Sequence, residues 1–380
     1  MGAPHNQQAE KPLTSERKID ALRILGVILI MATLVFATPL KQYINSAIHA
    51  TYTSLHIRGE IYAGPKSASE AIFLVGDAGA MTDTVALALQ KAISGASSPP
   101  ILLYAGDNIY PLGMPKREDS SAWNLASSLL LKQIDPFRSS TRDILFVPGN
   151  HDWENHSADG WEAIKRENSF IESALGPGHI LPPNGCPGPV RKQLFSDLQL
   201  IAVDSSWWLH EYAKPTHPDH GCPVFSQDGL VSELDSMLRE TPEGVETVFL
   251  THHPLLSAKS DHAHTKCPFS TDCPEYVSMR EKLSSILVKY RPLLCVSGHN
   301  HALQIHREQS GCRTYAVSGG GSNVYKTKQP QTAEFAEASL GFMVLHRAAN
   351  AAWNLDVIRV RSEDSLLPPS AVLAFSTSAR

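Results

Sequence analysis

Five short apolar runs in this chain stop on residues that can bind a cation or move a proton. Residues 71–75 run into Gly76-Asp77-Ala78-Gly79, and residues 101–105 into Gly106-Asp107-Asn108-Ile109-Tyr110. Residues 144–147 lead to Pro148-Gly149-Asn150-His151-Asp152, 247–250 to Thr251-His252-His253-Pro254, and 293–296 to Ser297-Gly298-His299-Asn300-His301. Stretches with helical spacing separate them, at 82–93 and near 122–134, 160–174, 230–239 and 275–290. Strands alternating with helices specify an α/β fold. In open α/β sheets, ligands bind beyond the C-terminal ends of the strands. The five polar motifs should therefore converge on one rim. Runs at 193–195 and 198–203 predict a hairpin, and runs at 314–318, 341–346 and 353–360 predict a late β-rich part.

The apolar fraction of 42% and charged fraction of 19% are those of a globular chain. A net charge of −5 with no long basic run gives no nucleic-acid footprint, so no nucleic-acid partner is expected. The 17 histidines are many, and several come in pairs: His252-His253, His262 with His264, His299 with His301. Histidine is the commonest metal ligand and a general acid or base. His5, His49 and His217 read as surface residues.

The N-terminus reads as a targeting element. Residues 1–23 are polar and contain Lys11, Arg17, Lys18 and Arg23, and residues 24–40 carry no charge. A signal anchor would keep 24–40 as a single membrane span. A signal peptide would be cut after Ala37, behind Val35-Phe36. The long polar segment in front favours the anchor, with residues 1–23 cytoplasmic and the rest exported. Membrane attachment through this helix is expected, and no protein partner can be inferred. Residues 41–70 read as a stalk, 71–362 as the catalytic domain and 363–380 as a C-terminal tail. All six cysteines follow the apolar segment, and four lie in Gly/Pro-rich surroundings, which suits disulfides in an oxidising compartment. Cys186–Cys222 and Cys267–Cys273 are plausible pairs, whereas Cys295 reads as a buried residue of an apolar run.

Asp77, Asp107, Tyr110, Asn150, His252, His299 and His301 are mixed carboxylate, phenol, amide and imidazole donors. Such donors suit first-row ions. They are too many for one catalytic ion that must keep open positions, and they suit two ions that share a bridging carboxylate. Two ions roughly 4 Å apart can clamp the attacking and leaving oxygens of an in-line displacement. That is the chemistry of phosphoester hydrolysis.

The five motifs, in this order, resemble the signature of the calcineurin-like metallophosphoesterases. Within that superfamily the set is similar to the purple (tartrate-resistant) acid phosphatase branch, over residues 70–325 and including Val317-Ser318-Gly319-Gly320-Gly321. The resemblance implies a two-sheet αββα sandwich and hydrolysis of phosphomonoesters by attack of a metal-bound hydroxide, with a small phosphorylated substrate. It implies that Asp77, Asp107, Tyr110 and His301 hold Fe(III), with the phenol as tyrosinate. It also implies that Asp107 bridges, and that Asn150, His252 and His299 complete a second site for Fe(II), Zn(II) or Mn(II). The usual Val-x-x-His is here Phe249-Leu250-Thr251-His252, a conservative change.

His151, next to a ligand, is the candidate proton donor to the leaving alcohol or holder of the phosphate. Asp152 would either orient it or cap a helix. His253 is a candidate phosphate contact. His262 and His264 could line the pocket from a loop. Asp204-Ser205-Ser206-Trp207-Trp208 ends a strand on the same rim, and its tryptophans either wall the pocket, pack in the core or face a membrane. Asn155-His156-Ser157 is a glycosylation sequon in a eukaryotic host. Two other functions fit the same chain: a phosphodiesterase or nucleotide pyrophosphatase on the same metals, and a cell-surface binding module without catalysis.

Overall fold

The computed structural model describes residues 62–379 apart from 67, 259–271, 309–310, 328–332 and 361–370. The expected apolar segment at 24–40 and the loop histidines His262 and His264 lie outside the described residues. No helix among the described residues is long and apolar enough to cross a membrane.

Two mixed sheets form the centre. The first has six strands in the order β13-β12-β11-β1-β2-β3. β1 (Ala71–Val75), β2 (Ile101–Tyr104) and β3 (Asp143–Phe146) are parallel, and β11 (Gly341–Arg347) runs antiparallel to β1. β12 (Trp353–Val360) and β13 (Ala371–Ser378) complete that edge. The second sheet has seven strands in the order β10-β8-β9-β7-β6-β5-β4. Its hairpin, β4 (Val190–Phe195) with β5 (Leu198–Ala202), leads to the parallel set β5, β6 (Glu246–Leu250), β7 (Leu294–Ser297) and β9 (Thr314–Ser318). β8 (Leu303–His306) and β10 (Ala333–Glu337) close its far edge.

Strand alternation sorts the apolar side chains into three cores. Ile72 and Leu74 of β1 and Ile101 and Leu103 of β2 face inward, against Leu200, Val248, Leu250 and Val296 of the other sheet. Their neighbours Phe73, Val75, Leu102 and Tyr104 face outward, under helices α1 (Asp83–Ser94), α2 (Ser120–Ile134) and α3 (Gly160–Leu175). On the opposite side, Ile201, Phe249 and Tyr315 pack under α4 (Ser205–Leu209), α5 (Gln227–Arg239) and α6 (Pro274–Tyr290). Strands buried on both faces need apolar residues at every position, which is why β1 reads as an unbroken Ala-Ile-Phe-Leu-Val. This is the αββα layering expected. The helix starts are capped by side chains: Thr82 accepts from the Val85 amide and Ser226 from the Gly229 amide.

Two boundaries and one cysteine differ from the sequence reading. Residues 363–380, read as a tail, contain β13, which pairs along β12. The end of the supposed stalk also belongs to the domain: Tyr62 and Ala68 are buried, and the Tyr62 amide donates to Ala371. Cys295 is not simply buried. It bonds to Cys312, and Cys186 bonds to Cys222 as expected. Cys273 is also disulfide-bonded, while its expected partner Cys267 lies outside the described residues. Trp207 and Trp208 are core residues of α4, with the Trp207 indole donating to Pro215.

The Cys295–Cys312 bridge spans a sequence separation of 17 and ties β7, which leads to His299 and His301, to the start of β9. A loop of that length corresponds to about 3 kcal/mol of chain-entropy stabilisation. The double variant Cys295→Ala/Cys312→Ala should lower the unfolding free energy by about that amount in a urea titration. Unchanged stability would contradict this role.

Candidate metal centre

The two sheets meet at the C-terminal ends of their parallel strands. A side chain at Gly76 would put its Cβ 2.9 Å from the Gly298 backbone, so glycine there lets the end of β1 touch the end of β7. The Gly76 amide donates to the Ser318 carbonyl, and Ser318 Oγ donates to the Leu74 carbonyl. This seam brings all seven predicted donors into one cluster.

Three of them have backbones in the left-handed region: Asp77 (φ 59°), Asp107 (φ 56°) and His299 (φ 66°). Such strain clusters where a function requires it. Gly106 (φ 90°) approaches so closely that a Cβ would lie 2.3 Å from His252 Nδ1.

The donors form two groups. In the first, the Tyr110 hydroxyl lies 3.0 Å from Asp107 Oδ2, 3.1 Å from Asp77 Oδ1 and 3.1 Å from His301 Nε2. Asp77, Asp107 and His301 offer ligand atoms all within 4.8 Å of one another. In the second, Asn150 Oδ1 lies 3.0 Å from His299 Nδ1 and 3.2 Å from His252 Nε2, and His252 Nε2 lies 3.3 Å from Asp107 Oδ1. Asp107 thus belongs to both groups, one oxygen to each.

The electrostatics calls for cations here. Burial pushes the Asp77 carboxyl well above the usual range, with His252 opposing and the Asp107 charge adding to the rise. Burial, then the Asp107 and Asp77 carboxylates, hold the Tyr110 phenol well above its ordinary value. Burial also disfavours the Asp107 carboxylate, but the His252 and His151 charges outweigh it and keep that group ionised. Burial would depress His252, yet Asp107 raises it to about 9. Protons therefore occupy positions that a metal ion would take. Asp77 Oδ2 is buried without a hydrogen-bond partner, another atom suited to a cation. The residues present fit a two-ion centre.

A second layer fixes these donors. The His252 Nδ1–H faces the Ala105 carbonyl at 2.8 Å, which leaves Nε2 turned toward Asp107 and Asn150. Asp152 accepts from the amides of Gly149 (2.7 Å), Asn108 (2.9 Å) and Ile109 (3.0 Å). It thereby locks the β2 and β3 loops together; among the described contacts it makes no hydrogen bond to the His151 ring and caps no helix. Asp152 is raised to about 7, by burial first and the Asp107 charge second.

His151 is partly exposed at the rim, its amide donating to Asp107 Oδ1 at 2.9 Å and its ring edge-on to Tyr110. His253 corrects the expectation of a substrate contact. It is fully buried, bonded to Ser205 Oγ at 2.9 Å, and its ring lies 4.4 Å from that of His299. It braces a donor instead. Tyr325, stacked 4.6 Å from His301, escaped the sequence reading, and the contacts of Ser205 with His253 and of Asn155 with Asn150 give two residues already in view roles that the sequence did not suggest. Each reaches the site through the fold or through a local turn, which no residue pattern specifies.

Metal loading must displace the proton on His252 Nε2 and the one on the Tyr110 phenol. Because His252 is protonated below about pH 9, metal affinity should fall as pH drops from 9 toward 6, with protons released into a weakly buffered solution on loading at pH 7. Loading at pH 7 with no proton release would contradict this charge assignment.

Residues 71–303 match the sequence profile of the calcineurin-like phosphoesterases. No curated protein sequence matches the chain. Among solved structures, GAP50, the anchor in the inner membrane complex of Plasmodium, shares 14% identity with a TM-score of 0.53, covering 82% of this chain and 88% of that one. Purple acid phosphatase PPD1 from yellow lupin seeds shares 14% identity with a TM-score of 0.51, covering 83% of this chain and 55% of that one. PhoD shares 10% identity with a TM-score of 0.52, covering 83% and 70%. These likenesses concern the fold. The profile match spans more than half of the chain, and the two-sheet layering agrees with it: the chain belongs to the calcineurin-like phosphoesterases, a superfamily of metal-dependent phosphoester hydrolases.

Proposed function

We propose that this protein is a two-metal phosphomonoesterase of the purple acid phosphatase kind. The observation that carries the reading is the Tyr110 hydroxyl, 3.0–3.1 Å from ligand atoms of Asp107, Asp77 and His301. Phenolate and carboxylate oxygens balance a trivalent ion, so Asp77, Asp107, Tyr110 and His301 would hold Fe(III). The neutral Asn150, His252 and His299 would hold Fe(II), Zn(II) or Mn(II), with Asp107 shared. When bound, the two ions supply Lewis acidity, lowering the pKa of water and neutralising charge on the phosphoryl group.

The protein's own groups orient and move protons. His151 Nδ1 lies 2.6 Å from the Pro111 carbonyl, which only accepts, so Nδ1 carries a hydrogen. Nε2 is then the nitrogen that exchanges a proton, and it serves as donor to the leaving alkoxide. Asp152, through its three amide contacts, keeps His151 and Asp107 in register by fixing the loops that carry them.

The disulfides favour an oxidising compartment. Together with the apolar segment at 24–40 they support a membrane-anchored enzyme with an exported catalytic domain, or a secreted one if that segment is cleaved. A second reading, an anchoring protein without catalysis, draws on the likeness to GAP50. It would be expected to have lost metal donors, and all seven are present here. A phosphodiesterase on the same metals is the nearer alternative.

The purified full-length protein, loaded with iron and then zinc or manganese, should hydrolyse an aryl phosphate monoester faster than the corresponding diester. His151→Ala should cost about 10²–10⁴-fold in kcat on an alkyl phosphate, whose leaving group needs a proton, and clearly less on an aryl phosphate. Faster diester hydrolysis would favour the alternative enzyme. No hydrolysis under any loading would favour the anchoring reading. An equal His151 effect on both substrates would remove it as the proton donor.

A further inference from the structure

The Asn150 side chain has an oxygen, which can bind a cation, and an NH₂ group, which cannot. Which of the two faces inward is decided by what the other end bonds to. Asn150 Nδ2 donates to Asn155 Oδ1 at 3.1 Å, and Asn150 Oδ1 points toward His299 Nδ1 and His252 Nε2. A second bond closes the same short loop: the Asn155 amide donates to the Asn150 carbonyl at 2.8 Å. The side chain at 155 therefore stands at a fixed offset from the one at 150.

The backbone has been bent to make this contact. Glu154, Asn155 and His156 follow one another in the left-handed region, at φ 49°, 53° and 63°. Asparagine tolerates that region better than most residues. Neighbouring contacts hold the bend. Glu154 bonds Ser157 Oγ at 2.6 Å and pairs with Arg166 at 3.4 Å, the Ser157 amide donates to Glu154 and the His156 amide to Trp153. Asn155 itself is exposed, so its carbonyl oxygen acts on the buried Asn150 from the solvent edge.

We infer that Asn155 is a positioning residue for the second ion: its side-chain oxygen holds the Asn150 amide with nitrogen outward and oxygen toward His252 and His299. Without that acceptor, the Asn150 amide is free to turn over and present its NH₂ group to the cation. The inference rests on the two-metal reading proposed above. It concerns one ion only, because Asn155 has no contact with the Tyr110 group among those described.

The test is metal titration of the full-length protein, wild type against Asn155→Gly and Asn155→Asp. Glycine keeps the left-handed backbone and removes the acceptor, whereas aspartate keeps both. Metal content per chain and chelator competition report affinity, and the visible band of the Tyr110–Fe(III) pair reports the first ion independently. Asn155→Gly should bind the second ion about 10- to 100-fold more weakly, the cost of losing an outer partner of a ligand, while keeping the band. Asn155→Asp should stay close to wild type. Wild-type affinity for both ions in Asn155→Gly would overturn the inference, as would equal weakening in Asn155→Asp. So would loss of both ions together in Asn155→Gly, which would place the defect in the loop's fold. A wild-type protein that takes up neither ion overturns the two-metal reading itself, an outcome distinct from these.

Discussion

Two buried carboxylates with ligand atoms within 4.8 Å of each other repel one another when both are ionised, unless a proton or a cation lies between them, and the Tyr110 hydroxyl sits about 3 Å from both. That constraint organises the rest of this structure. Asp77 and Asp107 are almost wholly shielded from water, and no lysine or arginine reaches them among the described ion pairs. In the bare protein the burden falls on protons at Asp77, Tyr110 and His252. Such a cluster is costly to build without a ligand. Three of the donors also sit on left-handed backbones, and much outer structure is committed to holding them.

That outer structure is a set of fastenings between loops. Asp152 draws three amides from two loops onto one carboxylate, Ser205 ties the end of β5 to His253, and Ser318 ties the second sheet to β1. Each fastening is buried and polar, so removing one leaves donors or acceptors stranded in a low-dielectric interior. The aromatic rings add a second kind of support. His253 lies against His299 and Tyr325 against His301, so both histidines that follow β7 are braced by a neighbouring ring.

Much of this was legible from sequence because strand ends carry position as well as chemistry. Residues 71–75 and 101–105 read as buried strands because they are apolar without interruption. Their terminal Gly-Asp pairs followed from the rule that α/β ligands sit at strand ends, and all seven donors did meet there. The misreadings share a physical cause. His253 looks like a site residue because it adjoins His252, but successive residues leaving a strand point in opposite directions, and His253 turned to the core. Cys295 looked like a core residue because its neighbours are apolar, and its partner Cys312 arrives only through the β7–β9 pairing. β13 followed no strong alternation of its own, and it is defined by its partner β12. Asn155 sat in view as a sequon, yet its role depends on three consecutive positive φ angles that no residue pattern announces.

Tyr110 is the residue on which the account depends, since Asp107 alone would suit any member of the superfamily. The direct measurement is metal analysis joined to a visible absorption spectrum of the purified protein. The account predicts about two metals per chain, one of them ferric, with a tyrosinate-to-Fe(III) charge-transfer band that disappears in Tyr110→Phe. Iron-loaded protein with no such band, or a band unchanged in Tyr110→Phe, would contradict it.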